Sequence, residues 1–132
     1  MSTTLTLGKD ERLKHRKVIG QLFSKGHSFL VYPYKVVWSA TPLVSDFPVQ
    51  AMFAVTKKSF KSAVKRNTMR RRIKEAYRLN KTGLYNYLIE KNISMTVGFV
   101  YLGQDLNTYK DTEVKIILIL RRLTEEYEKA SR

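Results

Sequence analysis

Between Lys57 and Arg78 the sequence KKSFKSAVKRNTMRRRIKEAYR carries ten basic residues against a single acidic one, Glu75. A guanidinium is planar, permanently charged and able to grip a phosphate through two parallel hydrogen bonds, whereas an ammonium acts as a compact point charge. Arg66, Arg70, Arg71 and Arg72, with Lys57, Lys58, Lys65 and Lys74, therefore form a set of candidate phosphate ligands. Asn67 among them can both donate and accept, which suits a base edge or a 2′-hydroxyl. Like charges four apart on a helix repel by a few tenths of a kcal/mol per pair. Such crowding is explained most simply when a polyanion supplies the missing negative charge.

Groups for bond-breaking chemistry are sparse by comparison. His15 and His27 are the only histidines, each in basic polar surroundings without a matched carboxylate. Asp10 and Glu11 are neighbours near the N-terminus, and Asp105, Asp111 and Glu113 lack the spacing of a two-metal site. No phosphate-cradling glycine loop is present. If the protein takes part in a reaction, the reacting groups are expected on another molecule, with no cofactor bound by the chain itself. Tyr34, Trp38 and Phe23 offer aromatic faces on which unpaired bases could stack, and core packing is the competing use of the same side chains.

The whole chain shares this basic character. It has 132 residues, 25 Lys and Arg against 11 Asp and Glu, a net charge of +14, and 43% hydrophobic residues. That length and apolar content imply one domain with a proper core rather than a disordered basic tail. The charge points to RNA, DNA or an anionic membrane. No cysteine is present, which excludes disulfides, zinc fingers and thiol chemistry and fits a cytoplasmic protein. The N-terminus lacks the apolar stretch of a signal peptide, and the apolar run 116–120 is too short to cross a bilayer.

The elements that must position the basic stretch follow from periodicity. Residues 1–14 read as a flexible basic arm, with the folded domain spanning 15–132. A short amphipathic helix from Arg16 to Lys25 carries Val18, Ile19, Leu22 and Phe23, with Gly26 placed to end it in a left-handed C′ conformation. Period-two alternation predicts strands at 29–32, 34–41 and 49–56, with Pro33 forcing an edge or break. In the second strand Tyr34, Val36 and Trp38 share one face and Lys35, Val37 and Ser39 the other. The segment PLVSDFP reads as a turn. Ser62 is a suitable N-cap for the basic helix. That helix would seat Met69, Ile73, Ala76 and Tyr77 on a core and turn Asn67, Arg70, Arg71, Lys74 and Arg78 away from it. It fades near 79–83, and a further helical turn or two is expected over 84–91. A strand at 94–101 follows. A final helix, capped by Thr108 with Asp111, would be lined by Val114, Ile117, Leu118, Leu120 and Tyr127, and its β-branched run IILI reads equally as a strand. The order α-β-β-β-α-β-α makes an α+β single domain with one four-stranded sheet.

The run Ala63-Val64-Lys65-Arg66-Asn67-Thr68-Met69-Arg70-Arg71, continuing Arg72-Ile73-Lys74-Glu75-Ala76-Tyr77-Arg78, resembles the arginine-rich signature of the bacterial ribonuclease P protein component. The preceding strand ends in Lys57-Lys58, as in that family. Arg12-Leu13, Leu22-Phe23-Ser24-Lys25-Gly26, and the strands 35–39 and 94–101 follow in the family order. One departure is Thr68, where the family usually has a second arginine. The resemblance implies a ribosomal-protein-like fold with a left-handed βαβ crossover, against the usual right-handed preference. It implies a subunit that binds a catalytic RNA, which itself hydrolyses the 5′ leader from precursor tRNA using Mg2+ held mainly by the RNA. Arg66, Asn67, Arg70, Arg71 and Lys74 carry over as RNA-binding positions, beside Lys65. Phe23, Val36, Trp38, Ala54 and Thr56 carry over as a cleft for the single-stranded leader, with Lys57 and Lys58 at its rim. No membrane and no obligate protein partner are expected. The competing reading of the basic helix is a DNA-binding module lying in a major groove.

Overall fold

The computed structural model describes residues 7–43 and 47–131. Helix α1 (Arg16–Lys25) leads into strands β1 (His27–Val31), β2 (Tyr34–Pro42) and β3 (Val49–Val55). Helices α2 (Ala63–Asn80) and α3 (Thr82–Lys91), strand β4 (Ile93–Tyr101) and helix α4 (Tyr109–Ala130) complete the chain. The sheet order is β1-β2-β4-β3, with β3 and β4 parallel and the other pairs antiparallel. The parallel pair is joined through α2 and α3, the unit to which the resemblance attaches its unusual crossover. The helical turn or two expected over 84–91 is a ten-residue helix, ended by Asn92 at φ 61°, a left-handed conformation that asparagine tolerates. The expected turn around Ser45 lies outside the described residues.

The sheet separates two apolar layers. On one face, Tyr34, Val36 and Trp38 of β2 meet Met95, Val97, Phe99 and Tyr101 of β4 and the buried sides of α2, α3 and α4. α2 contributes Met69, Ile73, Ala76 and Tyr77, the stripe read from its 3.6-residue period. Tyr77 packs edge-on to Phe53 and Phe99, whose own rings stack at 5.3 Å. Both predicted caps form: Ser62 Oγ accepts from Lys65 N–H, and Thr108 Oγ1 from Asp111 N–H. On the other face, α1 lies over the row Val37, Gly98, Met52, burying Leu22 and, from the preceding segment, Leu13.

Three expectations are corrected. The first is the phase of α4. Thr112, Ile116, Ile119, Leu120 and Leu123 are buried, while Val114 (53%) and Leu118 (43%) are exposed. The run IILIL is apolar all round, so its sequence carries no phase, and the side that faces the sheet is chosen by packing. The second is Gly26. Its φ of −75° is not left-handed. A glycine is needed there because a Cβ would stand 2.4 Å from Leu22 O and 3.0 Å from Trp38 O, both backbone atoms.

The third is the N-terminal arm. From Leu7 on it is docked, not free. Residues Lys9–Glu11 form a 3-10 turn, Arg12 bridges to Ala51 beside β3, and Leu13 N–H donates to Ala51 O at 2.9 Å. The Glu11 carboxylate is 1% exposed and ion-paired with Lys81, also 1% exposed, at the α2–α3 corner. Tyr85 Oη donates to the same oxygen at 2.8 Å, and Gly8 N–H donates to the other, also at 2.8 Å. The Tyr77 hydroxyl lies 3.0 Å from that of Tyr85. Removing either partner of such a buried pair strands a charge, at a cost of about 3–5 kcal/mol. Periodicity along residues 1–14 could not reveal this, because the partner is 70 positions away.

Two outcomes follow for stability. Gly26→Ala should destabilise the fold by roughly 1–3 kcal/mol, because two carbonyls must move. An unchanged midpoint in equilibrium denaturant unfolding would mean that the helix end relaxes freely. Burial also pushes the phenols of Tyr34, Tyr77 and Tyr85 well above the usual tyrosine range. The folded state thus favours the neutral phenol, so this contribution is complete below the unfolded tyrosine pKa of about 10 and is lost as pH rises beyond it. An alkaline titration followed by phenolate absorbance should show these three ionising together with loss of helix signal, and ionisation ahead of unfolding would contradict their burial.

Candidate nucleic-acid interface

The side of α2 opposite its buried stripe forms the candidate interface. Its groove is lined by Val64, Asn67, Thr68, Arg70, Arg71 and Lys74. Lys65 and Arg71 are exposed, and Arg70 Nη1 donates to Asn67 Oδ1 at 2.7 Å, holding that pair side by side. Lys74 sits lower, where partial burial and then Arg12, Arg70 and Lys14 depress its pKa, in that order. A cation destabilised by its neighbours gains most when an anion arrives. Thr68, the position that departs from the family pattern, opens onto the same groove while its hydroxyl donates to Val64 O at 2.9 Å.

Two of the arginines have a second occupation. Arg66 Nη1 donates to Phe60 O and Lys61 O, each at 2.9 Å, and so clamps the loop between β3 and α2. Phe60 in turn stacks on Tyr101, and Ser59 Oγ donates to Tyr101 O at 3.2 Å. Lys57 and Lys58, exposed on this braced turn, are thereby held at a set distance from the α2 groove. Arg72 Nη1 donates to Asn107 O at 2.6 Å, tying α2 to the loop before α4. No spacing rule distinguishes these clamps from phosphate ligands, since both are arginines on one short helix.

The expected cleft is only partly assembled. Phe23, 42% exposed, overhangs the α1-covered face, where its Cζ would be 3.5 Å from a Cβ at Gly98. Ala54 and Thr56 share that face by alternation from Met52, and they lead to Lys57 and Lys58. Val36 (0%) and Trp38 (1%) do not join them: both are buried on the opposite face, with the indole stacked on His27 at 4.4 Å. In their place the α1-covered face presents Lys35 and Val100, with Val37 (2%) sealed under Leu13 and Leu22, and register puts Lys35, Val100 and Ala54 in one row across three strands. The alternation of β2 was already visible in its residues, and what was missing was which of its two faces receives α1.

Among the described residues, no three His, Cys, Asp or Glu side chains gather where they could hold a metal ion, and no helix is long and apolar enough to cross a membrane. The clamp role of Arg66 is open to test without any ligand. Arg66→Ala should lower stability by about 1–2 kcal/mol, since two carbonyls lose a charged donor. Lys58→Ala, on an exposed side chain, should stay within about 0.5 kcal/mol of the parent. Equal melting temperatures for both variants would remove the clamp.

Comparison with known proteins supplies the family. The family profile described as Ribonuclease P matches residues 7–116. The ribonuclease P protein component of Porphyromonas gingivalis is 39% identical over 113 residues, covering 83% of this chain and 80% of that relative. That of Chlorobium phaeobacteroides is 33% identical over 108 residues, covering 74% and 73%. Among solved structures, the RNase P protein of Thermotoga maritima superposes with a TM-score of 0.67 at 19% identity, covering 85% of this chain and 96% of that one. The Staphylococcus aureus protein gives 0.66 at 17% identity, covering 86% and 94%. At such identities the structural likeness speaks for the fold, and the sequence matches carry the kinship. With a family match across most of its length and relatives at a third identity or more, this chain belongs to the ribonuclease P protein family, whose general function is RNA binding in the 5′ maturation of precursor tRNA.

Proposed function

We propose that this chain is the cytoplasmic protein subunit that holds the catalytic RNA of ribonuclease P against α2 and guides the single-stranded 5′ leader of precursor tRNA along the face beneath α1. The observation that carries the reading is the convergence of Asn67, Arg70, Arg71 and Lys74 in one groove, on the side of α2 turned away from its apolar seat. Guanidinium and ammonium groups so arranged bind successive phosphates, and the resulting release of counterions makes affinity steeply salt-dependent. In the leader cleft, the Phe23 ring offers a sequence-tolerant stacking face, while Lys35, Lys57 and Lys58 attract the leader backbone. Met52, Ala54 and Val100, each half-buried, make an apolar floor, which suits a strand that varies in sequence from one precursor to the next.

In this reading the hydrolytic step belongs to the RNA, together with the Mg2+ it holds. The protein's part is electrostatic. Its cations lower the repulsion between closely packed phosphates, so the RNA folds and keeps its divalent ions at lower bulk concentration. Leader cleavage by the cognate RNA should therefore become faster, and its magnesium requirement lower, when the protein is added at low magnesium. If neither rate nor magnesium requirement changed, the proposal would fail.

A further inference from the structure

A second groove lies between the docked N-terminal segment and the outer side of α2. It encloses about 360 Å³ and is lined by Leu7, Arg12, Arg71, Lys74, Glu75 and Arg78. Arg12 reaches it from far away in sequence, and the local chain explains how. Glu11 and Leu13, on either side of it, are both buried, the first on Lys81 and Tyr85 and the second under α1. With both neighbours anchored inward, an extended backbone at Arg12 (φ −100°, ψ 127°) has to send its side chain outward. Once there, among the described residues, the guanidinium makes a single long hydrogen bond, from Nη2 to Leu7 O at 3.4 Å.

The charges in this groove do not balance. Its carboxylate, Glu75, is engaged by Arg78 at 2.5 Å. Among the described residues, Arg12, Arg71 and Lys74 have no carboxylate partner, and Arg12 and Lys14 are among the cations that depress Lys74. This second groove shares Arg71 and Lys74 with the one along α2. Two adjoining anion sites with common ligands fit consecutive phosphates of one backbone better than a single small anion.

We infer that Arg12, Arg71 and Lys74 form a phosphate-binding site for the partner RNA, and that the buried Glu11–Lys81 pair is the positioning device that keeps Arg12 in it. This rests on the RNA-binding role proposed above and extends it to a part of the chain outside the arginine-rich signature. Glu11 is a positioning residue, since it is sealed from any ligand. A buried ion pair adds little stability over apolar packing of the same shape. Here it supplies geometry: Glu11 ties residues 8–13 to the α2–α3 corner and so carries a cation to the α2 surface.

The test is a titration of the full chain against the ribonuclease P RNA across a salt series. Arg12→Gln should weaken binding roughly tenfold near physiological salt and flatten the log–log salt slope by about 0.7–0.9, the loss of one neutralised phosphate. Lys129→Gln, an exposed change far along α4, controls for net charge and should leave the slope nearly unaltered. Glu11→Gln should flatten the slope as Arg12→Gln does, and the double variant should be no weaker than either single one, because both remove the same contact. If Glu11→Gln does not fold, Glu11→Asp, which keeps the charge on a shorter reach, is read in the same way. A parent chain that does not bind the RNA would refute the proposed function. Parent binding with Arg12→Gln indistinguishable from Lys129→Gln would overturn the site alone. A full effect of Arg12→Gln with none from the Glu11 variants would overturn the positioning role.

Discussion

Seven cations on one helix, from Lys65 to Arg78, repel one another, and the fold depends on holding them together regardless. What holds them is the apolar stripe of Met69, Ile73, Ala76 and Tyr77, completely buried against the sheet and α4. Each large side chain in such a seat contributes about 1.5–3 kcal/mol from burial, against a few tenths for each like-charge pair on the exposed side. The magnitudes settle the matter in favour of packing. Tyr77 adds an edge-on contact to both Phe53 and Phe99, so the middle of the helix is fixed in rotation as well as in place. A helix that could roll would spread its arginines around the surface. This one keeps Arg70, Arg71 and Lys74 together on one groove.

The same economy governs the clamps. Arg66 and Arg72 use guanidinium groups on carbonyls of neighbouring loops, at Phe60, Lys61 and Asn107, which orients the cations that remain free to meet a ligand. The buried Glu11–Lys81 pair does comparable work from the other side, drawing the N-terminal segment onto the corner between α2 and α3. Positive charge is thus assembled from three places: the helix itself, the turn with Lys57 and Lys58, and the segment carrying Arg12. Each is held by hydrogen bonds or ion pairs made within the chain. The opposite face of the sheet is left to α1 and a shallow, mostly apolar floor with lysines at its margins, a surface of different character from the arginine groove.

Much of this was legible in the residues. The buried stripe of α2, its N-cap at Ser62, the cap of α4 at Thr108, the strands and the separation of cations from the core all follow from periods of 3.6 and 2 and from local hydrogen-bonding chemistry. These are short-range rules, and a single sequence contains all they need. The arginine-rich signature and the family it belongs to were readable for the same reason, being contiguous. Three things were not. Which face of β2 receives α1 put Lys35 and Val37 on the cleft side and Val36 and Trp38 on the other, because alternation defines two faces without saying what covers each. The rotation of α4 could not be taken from a run that is apolar all round, so Ile116 and Ile119 are inside where Val114 and Leu118 were expected. The anchoring of Glu11 on Lys81 joins residues 70 positions apart, and no local pattern reports a contact at that distance. Local chemistry settles what each segment forms and which side of it is apolar. Only the assembled chain, through packing and burial between distant segments, decides which surfaces meet and which cations are left facing outward.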